Sequence, residues 1–450
     1  MDRLLSDPRL QMLSQQFTRE SVAVITRTQL SDIRKDISKG EDTPTYEAIV
    51  KSIELRIRRE WGVSPKFVIN ATGVILHTNL GRAPLSYEST MAIQKVVSGY
   101  SDLELDLDKG IRGSRQTFVS NLLCQLTGAE SALVVNNNAA AILLGLSVLA
   151  DGKEVLISRG QAVEIGGGFR IPELLQQTKA TLVEVGTTNR TYIEDYKNAI
   201  NDKTAAILSI HTSNFKVTGF THSPKIDELT TLGMKHGIPV LNDLGSGCLL
   251  DTSQFNLAHE VMPHESLKAG VELVFFSGDK LMGGPQAGLI IGKQKFISML
   301  SNHPLARAVR IDKSSIAALS ATLMHYIKGE ALEKIPIWQM ISTKLDKLKV
   351  RADRWAELDK GRLQVVQGQS TIGGGSLPGE TLPSWLLSID TSTIKGGAES
   401  LLIRLRHNDP PIIGRIDNER VILDPRTVFC SDDEKIFDTL SAVFKEEEEK

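Results

Sequence analysis

Between residues 131 and 291 the sequence alternates short apolar runs with helix-like stretches, and this alternation restricts the fold more than any other feature of the chain. Seven runs fit buried strands: 131–135, 154–158, 181–185, 205–210, 239–242, 271–276 and 287–291. Runs this short and apolar, separated by helical segments, belong in a mostly parallel sheet covered on both faces. Seven of them in one domain predict a three-layer α/β sandwich. The flanks differ. Residues 1–65 look helical, with Ile49, Ile53 and Ile57 four apart on one face and a break at 40–44. Residues 301–360 form a helical linker region, and 361–450 mix short strands, turns and the glycines Gly373, Gly374 and Gly375 in a smaller α+β domain. The expected organisation is therefore a helical module (1–65), a large domain (66–300), the linker and the small domain.

A chain of 450 residues is too long for one simple core, which agrees with that division. Its net charge of -2 does not advertise nucleic acid globally, but binding depends on where charge sits. Arg56, Arg58 and Arg59 cluster late in the helical module, yet nearby acids balance them, so an RNA-binding module and a packing arm fit the charge equally. Cys124, Cys248 and Cys430 have no disulfide or metal spacing, which suits a reducing compartment. The N-terminus lacks a signal-peptide core and no apolar run would span a bilayer, so the cytoplasm is the expected location.

The sixth run leads into Ser277-Gly278-Asp279-Lys280-Leu281-Met282-Gly283-Gly284, a turn that presents one lysine at the mouth of an apolar sheet. A desolvated amine loses its proton more easily and becomes a nucleophile toward carbonyls. An isolated turn lysine is more often merely solvated, so its company decides. Ligands in open α/β sheets bind beyond the carboxyl ends of the strands, and two other loops at that edge carry matching parts. After the first strand, Asn136, Asn137 and Asn138 open an alanine- and leucine-rich helix whose free amides and positive end suit a phosphate. Taken alone, that is an ordinary asparagine cap. After the fifth strand, Asp243 offers a carboxylate; Ser277 adds a hydroxyl. Phosphate helix, aspartate and lysine, in that order, are what pyridoxal 5'-phosphate needs: a cradle, a partner for its ring nitrogen and an amine for its aldehyde. His211, closing the fourth strand, could bond or stack on the same group, although a structural histidine is as common.

A second set consists of arginines. Arg82 sits in a turn between Gly81 and Pro84, while Arg307 and Arg310, three apart, would share a face in a helix or a tight turn. Such forks suit an anionic co-substrate, although an exposed arginine pair more often serves only surface ion pairs. Gly110 to Arg115 is a further glycine-and-arginine turn.

At 69–84, 110–115, 158–172, 186–191, 211–215, 243–247, 277–288 and 303–313 the sequence resembles the bacterial selenocysteine synthase family, L-seryl-tRNA(Sec) selenium transferase. The resemblance covers nearly the whole chain. It implies an aspartate-aminotransferase-like (fold type I) enzyme with Lys280 carrying pyridoxal phosphate. Arg82, Arg307 and Arg310 would belong to a selenophosphate pocket, and residues 1–65 would grip a selenocysteine tRNA charged with serine. It also implies a homo-oligomer, a ring of dimers. The rival is a related lyase acting on a small phosphorylated amino acid or amino-sugar acid, for which the arginines serve equally well but the N-terminal module has no use.

Overall fold

The computed structural model describes residues 1–62, 64–162, 164–165, 169–211 and 215–448, and the chain divides into two compact units, Met1–Phe67 and Val68–Lys450. Among the described residues, no helix is long and apolar enough to cross a membrane.

The first unit packs α1 (Pro8–Gln16), α2 (Arg19–Ser38) and α3 (Tyr46–Trp61) around Leu10, Leu13, Val22, Ile25, Val50, Ile53 and Ile57. Asp7, Thr18 and Thr45 each accept a backbone N–H at a helix start, a cap that contributes about 1 kcal/mol. Two of the three late arginines have acidic partners: Arg56 bonds Asp32 at 2.7 Å and Glu60 at 2.8 Å, and Arg58 bonds Glu54 at 2.8 Å.

The second unit is built on a seven-stranded sheet: β1 (Ser131–Val135), β2 (Glu154–Ser158), β3 (Thr181–Val185), β4 (Thr204–Ile210), β5 (Val240–Gly245), β6 (Leu273–Ser277) and β7 (Gly288–Gly292). The spatial order is β1-β7-β6-β5-β4-β2-β3, and only β7 runs against its neighbours. One face buries Leu133, Leu208, Leu241 and Phe275 under α4 (Asn138–Leu149); the other buries Ile207, Val240, Val274 and Leu289 beneath α5 (Ile226–His236) and α6 (Lys313–Ile327). This is the three-layer sandwich of the aspartate-aminotransferase-like (fold type I) class. The fifth strand differs from the sequence reading by running on to Gly245, which places Asp243 inside the strand and opposite Phe275. Its Asn-Asp-Leu-Gly ending is polar enough to read as a loop, but the sheet hydrogen bonds continue through it.

The C-terminal sheet joins β8 (Leu363–Gly373), β9 (Thr381–Ile389), β10 (Arg415–Asp417) and β11 (Arg420–Leu423). Its fifth member is Val74–Leu76, which pairs parallel with β8, and Ile69–Asn70 pairs with Ile412–Ile413. These early segments, grouped by sequence position with the large domain, thus have their strand partners far along the chain. The pairing also brings the turn after Gly373 to the mouth of the large sheet.

Candidate active site

Strand β6 ends at Ser277 and the chain folds back on itself at once: Gly278 N–H bonds Ala287 O, Gly284 N–H bonds Gly278 O, and Gly283 N–H bonds Lys280 O, all at 2.9 Å. Gly283 takes φ +72, and a Cβ there would lie 2.2 Å from Ile335 Cγ2, so a small residue is required. With Leu281 and Met282 fully buried on either side of the turn, Lys280 is held in the interior, only 5% exposed. Burial is the main reason its amine binds a proton less tightly than an ordinary lysine; the nearby Asp243 charge opposes that shift and the Arg82 charge adds to it.

Asp243 is 2% exposed, and burial pushes its carboxyl above the usual range, against the lowering effects of the Asn138 amide and the Lys280 charge. Its Oδ1 accepts the Asn138 side-chain amide at 2.8 Å and the Gly245 N–H at 3.1 Å. Asn138 is the first residue of α4, whose cap Asn137 accepts the Ala140 N–H at 2.9 Å. The start of the phosphate-suited helix and the buried carboxylate are therefore linked by a side chain. Asn136 is exposed at the same helix start, and its N–H bonds Val309 O at 2.9 Å. Ser277 is buried at the tip of β6. His211 donates its backbone N–H to Asp243 O at 2.8 Å, and its ring Nδ1 lies 3.8 Å from the buried Glu260 carboxylate.

Several buried polar atoms on this edge lack a partner among the described residues: Asn138 Oδ1, His211 Nδ1 and Ser246 Oγ. Buried polar atoms are nearly always satisfied. Unmet acceptors and donors beside a helix N-terminus, a buried carboxylate and a buried amine fit a polar, phosphorylated aromatic cofactor, and pyridoxal phosphate meets each requirement.

Sequence reasoning missed three contributors. Ser246 accepts the Leu281 N–H through its carbonyl at 2.9 Å and so braces the lysine turn. Glu260, 2% exposed, faces His211 from a loop with no motif of its own. Gly375 stands against Lys280: a Cβ there would lie 2.7 Å from Nζ and 2.8 Å from Cε, at φ +82. The run of glycines was the signal, but nothing local tied it to the lysine. Gly375→Ala is expected to weaken cofactor binding about tenfold, since overpacking costs roughly 1–3 kcal/mol. Titration followed by cofactor absorbance checks this; wild-type affinity would mean the turn moves freely.

The arginines divide. Arg82 adopts φ +63, unusual outside glycine, and donates Nη1 to Asp279 Oδ2 at 2.8 Å, next to Lys280. Arg310 forms a bridge beside Val135 and pairs with Glu104 at 3.4 Å. Glu104 also takes Arg112 at 2.8 Å and Arg115, so three arginines share one carboxylate. With Arg307 they line a cavity of about 490 Å³ that neither Lys280 nor Asp243 borders. Within one chain, then, the structure brings Arg82 to the lysine but not Arg307 or Arg310. Gln161, in the 158–172 stretch, accepts the Ile210 N–H at 3.1 Å. Residues 163, 166–168 and 212–214 of the motif stretches lie outside the described residues.

Residues 68–429 match the family model described as L-seryl-tRNA selenium transferase. The chain is 46% identical over 435 residues to the L-seryl-tRNA(Sec) selenium transferase of Carboxydothermus hydrogenoformans, covering 95% of this chain and 93% of that one. It is 43% identical over 442 residues to the enzyme of the same name from Geobacter sulfurreducens, with 96% and 95% covered. Among solved structures, D-glucosaminate-6-phosphate ammonia-lyase superposes with a TM-score of 0.62 at 20% identity, covering 87% of this chain and 98% of that one, a likeness of fold.

Proposed function

The chain belongs to the L-seryl-tRNA selenium transferase family, and on that footing we propose how its own residues carry out the reaction. It is a pyridoxal phosphate-dependent transferase that converts seryl-tRNA(Sec) to selenocysteyl-tRNA(Sec), eliminating the seryl hydroxyl and adding selenium from selenophosphate. The observation that carries the reading is the buried Lys280 amine, lowered in proton affinity and coupled to a buried Asp243 at the mouth of the sheet.

Bound pyridoxal phosphate supplies an electron sink for the pair left at Cα when its proton departs. The backbone amides at the start of α4, with the Ser277 hydroxyl, hold the phosphate, as helix N-termini hold anions generally. Asp243 keeps the ring nitrogen protonated, and Asn138 fixes the carboxylate's orientation through its 2.8 Å bond. His211 covers the same group. With the cofactor bound, the neutral Lys280 amine would stand beside Cα as the base that takes that proton. The β-hydroxyl would leave as water with that proton, and selenium would bond Cβ from selenophosphate, whose P–Se bond is then cleaved by water to give phosphate.

Arg82 orients the selenophosphate. Arg307 and Arg310, in a cavity where Glu104 is the sole carboxylate among the described residues that line it with several arginines, serve the same anion from a second copy of the chain. The active enzyme is on this reading a homo-oligomer, and it works in the cytoplasm, where aminoacyl-tRNA is found. Residues 1–67 grip the tRNA, a task a small-molecule lyase would not have.

Selenium transfer to seryl-tRNA(Sec), followed by mass analysis of the esterified amino acid, tests the reaction. Deleting residues 1–67 is expected to weaken tRNA binding by at least about 100-fold, an RNA-contact loss of roughly 3 kcal/mol, while the cofactor absorbance persists. Undiminished tRNA affinity in the truncated chain would overturn the assignment of that module.

A further inference from the structure

Glu260, 2% exposed in the irregular stretch before the helix Pro263–Lys268, has no part in the steps above. Its segment is pinned from several sides. The buried Thr252 hydroxyl accepts the Glu260 N–H at 2.9 Å and donates to Ala258 O at 2.6 Å. The neighbouring His259 ring lies between Asp251 and Glu265, at 3.1 and 3.0 Å. A carboxylate taken out of water needs a cation or a hydrogen-bond donor. Among the described residues, one basic side chain comes within 4 Å of this one: His211, whose Nδ1 is 3.8 Å away.

That nitrogen is itself buried and without a partner among the described residues. His211 is held as well: its backbone N–H bonds Asp243 O at 2.8 Å, and its ring, 29% exposed, borders a cavity of about 500 Å³ at the ends of β2, β4 and β5. An unmet ring nitrogen and a buried carboxyl group thus face each other across a gap slightly longer than a hydrogen bond. Such bonds are often long before a ligand binds and tighten afterwards. A ring nitrogen that faces a carboxylate carries the proton, and this decides what the other nitrogen can do. We propose that Glu260 is a positioning residue that acts through His211: the imidazole donates its Nδ1–H to the carboxylate, which fixes the tautomer and leaves Nε2 for the bound cofactor. The inference rests on the reading above that His211 covers pyridoxal phosphate, and adds what holds that ring. The Glu260 charge also raises the proton affinity of Lys280, though less than Asp243 does, so a path through His211 has to be separated from one through the lysine.

Two readouts do this on the full-length chain. The first is nitrogen NMR of protein isotope-labelled at histidine, at about pH 8, above the ordinary histidine range, with the His211 signals assigned by their loss in His211→Asn. A protonated Nδ1 and a bare Nε2 are expected, the reverse of the preference of neutral imidazole in water, and Glu260→Leu should remove that preference. A proton on Nε2 in the wild type overturns the proposal. The second readout is the Kd for pyridoxal phosphate, from an absorbance titration. Glu260→Leu is expected to raise it about tenfold, the lower end of the loss when the partner that orients a metal-binding histidine is removed. In the His211→Asn background the same change should raise it by no more than about twofold, because the two residues act as a unit. An equal rise in both backgrounds, through damaged packing or through Lys280, overturns the proposal. Neither readout needs seryl-tRNA or selenophosphate. A chain with the expected tautomer and coupling that transfers no selenium therefore sinks the selenium-transfer reading and leaves Glu260 its role.

Discussion

Replacing Lys280 with alanine is expected to abolish turnover and the visible absorbance of the bound cofactor together. The residue is asked for two things, and both depend on its burial. Its amine has to be neutral to attack an aldehyde, and the interior position, 5% exposed, disfavours the charged form. The same amine then stands at Cα as a base, a role that alone contributes about 10²–10⁴-fold. Losing attachment and base together should cost more than either. Stopped assays on purified variant, with excess cofactor, decide it. Turnover within tenfold of wild type would mean another group takes the proton, and the lysine would be structural.

The second large effect is at Asp243. Asp243→Asn keeps the shape and leaves Asn138 a carbonyl to bond, but removes the charge that holds a proton on the ring nitrogen. Turnover should fall by roughly 10²–10³-fold, the usual loss when one preorganised electrostatic group is removed. Stability of the cofactor-free chain should move the other way. The Asp243 carboxyl is raised in the fold because it is buried, so the folded state holds its proton more firmly than the unfolded one. Its stabilising contribution is present below the unfolded value, near 3.9, and is lost as pH rises through the folded value. At neutral pH the ionised group is thus a cost, and Asp243→Asn should melt above the cofactor-free wild type. That advantage should shrink as pH falls toward 4. A variant that melts lower at pH 7 would mean the carboxylate is more fully compensated by Lys280 and Asn138 than its burial suggests. An activity deficit with a stability gain is the pattern of a group kept for chemistry.

How much of this was legible in the sequence depends on the range of the interaction. Lys280, Asp243 and Ser277 could be found because each follows an apolar run, and runs of that kind mark strand ends without further information. The helix start at Asn138 was legible for the same reason, but the bond from its side chain to Asp243 was not, since it joins residues 105 apart. Gly375 reaches Lys280 only because Val74–Leu76 pairs with β8 and draws that sheet's turn over the site. Such a pairing leaves no local pattern. Glu260 had still less to show, a lone acid in an irregular segment. The late arginines of the N-terminal unit were legible together with their balancing acids. Arg56 and Arg58 are engaged by Asp32, Glu60 and Glu54, acids of α2 and α3.

The central claim is that one buried amine holds the cofactor. Borohydride reduction of the cofactor-loaded chain, followed by digestion and peptide mass mapping, tests it directly. A single pyridoxyl phosphate adduct on the peptide containing Lys280 is the predicted result; an adduct on a different lysine, or none in a coloured and active preparation, would contradict it.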